Sequence, residues 1–379
     1  MAGRLRAVIS DAHCPIDLFQ ATAHYPAQLV PATEFLVLPD KGASRPALTV
    51  AYSASSGLVS DIRGYINGLM ESAARGLPLA ESRNGWIWTP ECELGLGCVF
   101  AGTGPMPDGP HGPLLADTCI SNQFVTVFSN MLVAQSLPRI LHGLELNVSD
   151  EPSSSHWLLY LRSMMMFWIW RPDGHITDAV DAFLAESGVG DSFIGVHIRH
   201  GDACNDDDAA SEVRFDSRVC LAVDMYLDRV HKLVGRYPSG TFSGIVIVSD
   251  TFELRKMPEA ALEAHSLSRT GRLPVAQLPA SFELYASATF IEERAKNNLD
   301  TATIRTIVHE AVMAVEVLSR ASAFVGTLSS AISRSSFEMM VARRAGRVPP
   351  FISLDLPYCD FFVSPEDYDL DDRDPQLCW

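Results

Sequence analysis

Four short apolar runs, at 193–198, 244–248, 324–326 and 351–354, constrain the C-terminal half of this 379-residue chain more than any other feature. They are continuous in apolar residues rather than alternating, which marks parallel strands buried on both faces. Helical periodicity occupies the intervals between them, over 223–237, 301–319 and from 329 to about 345. Buried strands alternating with helices predict a doubly wound, Rossmann-like α/β sheet.

The N-terminal half repeats the theme more faintly. A strand over 48–52 leads through Ser53-Ala54-Ser55-Ser56-Gly57 into a helix over 58–76, on which Leu58, Ile62, Ile66, Leu69, Met70 and Ala73 share one face. A second strand is expected at 77–80 and helices at 118–137, 155–169 and 178–187. The helix over 155–169 is apolar almost all round, so it belongs between layers. Arg171-Pro172-Asp173-Gly174 ends it, and Gly188-Val189-Gly190 closes the next. Three parts follow: an irregular leader over 1–46, an open α/β domain over 47–190, and a doubly wound, Rossmann-like domain over 191–379 with an acidic tail.

Composition excludes several functions. Asp and Glu outnumber Lys and Arg by 46 to 29, a formal charge of -17, and such a field repels nucleic-acid backbones and anionic membranes. No run is long and apolar enough for a membrane span, and no export signal is expected in the first residues. The eight cysteines contain no Cys-x-x-Cys pair, which argues against structural zinc.

Ligands bind an open parallel sheet beyond the carboxyl ends of its strands. Gly195-Val196-His197-Ile198-Arg199-His200-Gly201-Asp202 places His197, Arg199 and His200 there, and strand alternation sends His197 and Arg199 to one side. The Arg fork suits a diphosphate, though a satisfied structural His–Arg pair fits the pattern equally. Gly326-Thr327-Leu328-Ser329-Ser330 precedes a helix, where free N–H groups and hydroxyls suit phosphate. Simple N-capping is the plain alternative. Arg334, one turn in, reads as a second phosphate partner or a surface charge. Asp250 follows a strand and can meet a ribose or base, or cap a helix. Asp206-Asp207-Asp208 can supply a base or hold a metal, or be merely solvated.

Together these segments resemble the α-1,6-fucosyltransferases, the family of the enzyme that core-fucosylates N-glycans and of the bacterial enzyme that fucosylates chitooligosaccharide nodulation signals. IGVHIRHGD at 194–202 is similar to the family's donor motif, with His200 as in the bacterial type. The similarity extends to 57–81, to Trp157 and Arg171-Pro172, to 246–251, to FVGTLSSAISRSSFEMM at 324–340, and to Ser353-Leu354-Asp355. In all it covers roughly residues 47–360.

The resemblance implies a GT-B-like architecture, two Rossmann-like domains facing a cleft, and transfer of fucose from GDP-fucose to a glycan hydroxyl with inversion and without metal or cofactor. On that reading Arg199 grips the donor β-phosphate, Ser329 and Ser330 bind the diphosphate with Thr327, and His197 meets the base. Asp202, Asp250 and His200 shape the site, and Asp207 takes the acceptor proton. Ala203 stands where the family has Lys, and Ala314 where it has a guanine-reading Asp, with Glu310 one turn earlier on the same face. A metal-dependent transferase using Asp206–Asp208 and an inactive nucleotide- or glycan-binding relative are the alternatives. The family implies the Golgi lumen in a eukaryote, against the cytoplasm otherwise. A Cys204–Cys220 disulfide is expected to bracket the acidic loop.

Overall fold

A computed structural model describes residues 48–51, 57–75, 79–82, 86–91, 99–100, 154–199, 221–250, 273–285, 291–297, 299–344, 346–355 and 358. The expected leader, the helix over 118–137, the acidic loop, both its cysteines and the acidic tail lie outside these residues.

The elements in chain order begin with β1 (Leu48–Ala51), α1 (Leu58–Arg75), β2 (Leu79–Ser82), α2 (Ser154–Ile169) and α3 (Gly174–Ser187). They continue with β3 (Phe193–Ile198), α4 (Val223–Gly235), β4 (Gly244–Ser249), β5 (Val275–Gln277), α5 (Phe282–Tyr285) and α6 (Ile291–Asn297). The chain then forms α7 (Thr301–Arg320), β6 (Ala323–Gly326), α8 (Ala331–Arg343) and β7 (Phe351–Ser353).

The five strands of the C-terminal half form one parallel sheet in the order β5-β4-β3-β6-β7. β1 and β2 make a separate parallel pair, with Leu48 opposite Leu79. Burial on both faces explains the unbroken apolar runs. Ile194, Val196 and Ile198 pack with Ile245, Ile247 and Val325 against α4, whose Val223, Tyr226, Leu227, Val230 and Leu233 form its inward stripe. Phe193, Val246, Val248 and Phe324 face the other way, toward α7 and α8.

On that second face the helix comes unusually close. A Cβ built on Gly195 would lie 2.9 Å from the Ala321 Cβ and 3.1 Å from a Leu318 methyl, so glycine lets α7 settle on the central strand. The apolar cluster there continues without a break into α1, α2 and α3, through Ile62, Ile66, Leu159, Met166 and Val180. The apolar helix over 155–169 does lie between layers, against α8.

Two expected boundaries move. The second strand begins two residues later than the sequence suggests, at Leu79. α3 starts at Gly174 rather than 178, because the Asp173 side chain caps it by accepting from the His175 amide at 3.0 Å. Gly188, at φ 68, ends it in the left-handed conformation. β5, α5 and α6 arise in a stretch with no strong pattern. β5 is a half-exposed edge strand, so it needs no apolar run.

Candidate functional site

The strand order reverses direction between β3 and β6, and in an open parallel sheet ligands bind at such a switch point, beyond the carboxyl ends of the strands. Arg199 follows β3, Asp250 follows β4, Thr327 follows β6 and Asp355 follows β7. The register explains their convergence: Ile198 pairs with Ser249, and Gly326 with Ser353.

Arg199 forms an ion pair with Asp250 across the ends of the two strands. Both side chains are largely but not wholly enclosed. The pair orients the guanidinium, and the Arg199 side chain stays partly exposed.

The β6–α8 loop is held from below. The Asp355 carboxylate accepts from the Leu328 amide at 2.7 Å and the Ser329 amide at 3.2 Å, and from the Ser353 hydroxyl at 3.0 Å. Two amides expected to face a phosphate are therefore engaged by a buried carboxylate. The free donors lie further along. Ser330 occupies the N-cap position of α8 with no side-chain cap bond, so the first turn of α8 keeps its exposed dipole end. Simple hydroxyl capping is not what Ser330 does. Ser329 and Ser330 are both partly exposed.

Tyr226, on α4, is a site residue that the sequence reading misses. Its buried hydroxyl lies close to that of Thr327 and to the Arg199 backbone, and among the described residues neither hydroxyl makes a hydrogen bond of normal geometry. Burial pushes the Tyr226 phenol up to about 12, against smaller opposing effects of Thr327 and the Arg199 backbone. Two buried hydroxyls without partners, beside Arg199 and the loop, are costly unless something accepts from them. The only signal in sequence is that Tyr226 lies on the inward stripe of α4.

His197 is buried near the end of β3. It is 2% exposed, and its Nδ1 shares a 2.7 Å hydrogen bond with the Ser333 hydroxyl on α8. Burial, and then the charge of Arg199, pull its pKa down to about 3. It is neutral at any ordinary pH and ties β3 to α8.

Arg334 is not a surface charge. It is 7% exposed, its Nε donates to the Leu328 carbonyl, and its guanidinium lies 5.6 Å from the centre of the Tyr358 ring. Glu310 accepts from the Ser281 amide at 2.8 Å and the Tyr285 hydroxyl at 2.9 Å, so it organises the turn after β5. Ala314 is buried in the core. His200, Asp202 and Asp206–Asp208 lie outside the described residues.

Among the described residues no group of three or more His, Cys, Asp or Glu is placed to hold a metal ion. Among them, too, no helix is long and apolar enough to cross a membrane.

No protein-family model matches the chain, and no curated protein matches it. Solved structures do. The structure is similar to that of NodZ α-1,6-fucosyltransferase soaked with GDP-fucose, at 12% identity and a TM-score of 0.42, over 82% of this chain and 96% of that one. It is similar to fucosyltransferase NodZ from Bradyrhizobium, at 13% identity and a TM-score of 0.41, over 82% and 95%. A third neighbour is POFUT1 in complex with GDP, at 14% identity and a TM-score of 0.30, over 55% of this chain and 52% of that one.

Proposed function

We propose that this chain is a glycosyltransferase of GT-B type that moves fucose from GDP-fucose to a glycan hydroxyl, with inversion and without a metal. Residues 47–190 serve the acceptor side and residues 191–379 the donor side. The observation that carries this reading is the convergence at the β3/β6 switch point. Arg199 is oriented there by Asp250, the hydroxyls of Tyr226 and Thr327 are buried without partners, and the end of α8 has no side-chain cap.

This set suits a sugar nucleotide diphosphate. The exposed part of the Arg199 side chain takes the β-phosphate. Ser329, Ser330 and the α8 dipole take the remaining charge. In the reaction the acceptor oxygen attacks the anomeric carbon from the face opposite the diphosphate. The bond to the β-phosphate oxygen breaks, and GDP leaves with the electron pair. The acceptor proton passes to a carboxylate, which we assign to Asp207. Charge developing on the leaving diphosphate meets donors already in place.

A thermal-shift panel of GDP, UDP, ADP and CMP tests the donor class. GDP is expected to raise the unfolding midpoint where the others do not, by the linkage of binding to stability. A panel in which no diphosphate shifts the midpoint overturns the reading. Release of fucose from GDP-fucose by the protein then distinguishes a working transferase from a nucleotide-binding relative.

A further inference from the structure

Two buried polar side chains meet between β3 and the first turn of α8. The His197 Nδ1 lies 2.7 Å from the hydroxyl of Ser333, which is wholly buried. Among the described residues this is the one hydrogen bond that either side chain makes. Ser335 and Ser336, further along the same helix, are equally buried, yet their hydroxyls have no partner. Burial on α8 therefore does not by itself provide one. Room for the contact comes from Gly326, where a Cβ would crowd the Phe324 ring and stand 3.1 Å from the Ser333 oxygen.

The direction of this bond follows from the donors present. A neutral imidazole carries one N–H, on Nδ1 or on Nε2. His197 is neutral, since burial and then the charge of Arg199 oppose the cation. With the proton on Nδ1, the ring would donate to Ser333, and the hydroxyl hydrogen would be sealed in the protein without an acceptor. With the proton on Nε2, Ser333 donates to Nδ1 and its hydrogen is satisfied. Buried donors without acceptors are costly and rare, so the second arrangement is the stable one. It leaves an Nε2 N–H that has no acceptor among the described residues. His197 is the penultimate residue of β3, two before Arg199, at the strand end where ligands of an open parallel sheet bind.

We propose that Ser333 is a positioning residue: by donating to Nδ1 it locks His197 in the tautomer with its proton on Nε2, and that N–H donates to an acceptor atom of the bound nucleotide. This rests on the proposed nucleotide-sugar reading. Ser333 itself touches no ligand. It sets which kind of group His197 offers, a fixed donor, and so which kind of ligand atom can stand opposite it.

Nitrogen-15 spectra of histidine-labelled protein test it, with the His197 signals identified by their loss in His197→Gln and folding checked by circular dichroism. Without ligand, His197 is expected to show a protonated Nε2 and a bare Nδ1. Ser333→Ala removes the donor, so the two signals should move toward each other as the tautomers mix. Ser333→Cys keeps a weak donor and should fall between; if the alanine variant does not fold, this one decides. GDP should shift the wild-type Nε2 signal, and Ser333→Ala should bind GDP about fivefold more weakly. Guanosine and inorganic pyrophosphate, added separately, show whether the acceptor belongs to the base or to a phosphate. His197→Gln, whose amide N–H reaches the Nε2 position, should keep more GDP affinity than His197→Asn, whose amide reaches only that of Nδ1. A proton found on Nδ1 overturns the proposal. So does an Nε2 signal that bound GDP leaves unmoved, or a tautomer unchanged by loss of the Ser333 hydroxyl, and in each case the donor reading still stands. A protein that binds no GDP overturns both.

Discussion

The Asp355 carboxylate accepts the Leu328 amide at 2.7 Å, joining the end of β7 to the loop that leads into α8. Asp355→Ala would leave the Leu328 amide with only its longer 3.2 Å bond to the Ser353 hydroxyl oxygen, and would take from the Ser329 amide and the Ser353 hydroxyl the carboxylate they donate to. The loss is expected to be about 2–4 kcal/mol of stability, with weaker GDP binding because the loop loses its floor. Urea unfolding and GDP titration check this. An unaltered midpoint would show that the loop holds itself.

Arg199→Lys keeps the charge and loses the fork. With Asp250 engaging one side of the guanidinium, only a planar group can face a phosphate at the same time. Turnover of GDP-fucose is expected to fall by about 10²-fold. Wild-type rates in this variant would remove Arg199 from the donor site.

His197 makes stability depend on pH. Its folded pKa, about 3, lies well below the ordinary 6.5, with burial the larger cause and Arg199 the second. Below pH 6.5 the unfolded chain takes up a proton that the folded chain refuses. The contribution of neutral His197 is thus complete above pH 6.5. It is lost on acidification by about 1.4 kcal/mol per unit, down to the folded value. Urea midpoints at pH 7.5, 6.5 and 5.5 should show this slope, and His197→Gln should flatten it. A slope unchanged by the substitution would place the titration elsewhere.

Glu316 is a buried carboxylate on α7 that gathers three elements. It accepts from Arg343 at 2.8 Å through both oxygens, from Arg320 at 3.0 Å and from the Trp170 indole at 3.1 Å. Removing it takes from Arg343 its carboxylate partner and leaves Arg320 with Asp181 alone, so Glu316→Ala should destabilise the fold by about 3 kcal/mol. Because the contacts lie away from the switch point, the nucleotide affinity of the folded fraction should stay as it was. A large loss of affinity would mean the two regions are coupled.

Activity in excess EDTA tests metal independence. The proposed grip by Arg199 and the α8 end supplies the charge a cation would, so turnover should persist within about twofold. Loss of activity that manganese restores would instead assign the Asp206–Asp208 loop to a metal.

Part of this arrangement is legible from sequence because its causes are local. Ile194, Val196 and Ile198 read as a buried strand because both faces of β3 are covered, and the six-residue run is too short for a buried helix. Leu58, Ile62 and Ile66 announce α1 by spacing alone. The environment of α8 is different. Its Arg334, Ser335, Ser336 and Glu338 look like an exposed face, yet all are buried. The reason lies far away in the chain, since Arg63 meets Glu338 across 275 positions. Tyr226 is hidden for a related reason. Its stripe position predicts burial, but only the packing of α4 beneath β6 brings its hydroxyl to Thr327.

The strand order also governs how the molecule can be made. β3 sits at the centre of the sheet, with β4 on one side and β6 on the other. A ribosome delivers β4 soon after β3, but the opposite edge of β3 must wait until the chain has been made through Gly326. During that interval Ile194, Val196 and Ile198 belong to a bare, apolar, hydrogen-bonding edge, which is the kind of surface on which nascent chains associate wrongly. Fragments that stop before β6 should therefore collect as aggregates, and the intact chain should gain most from a chaperone in that window of its synthesis.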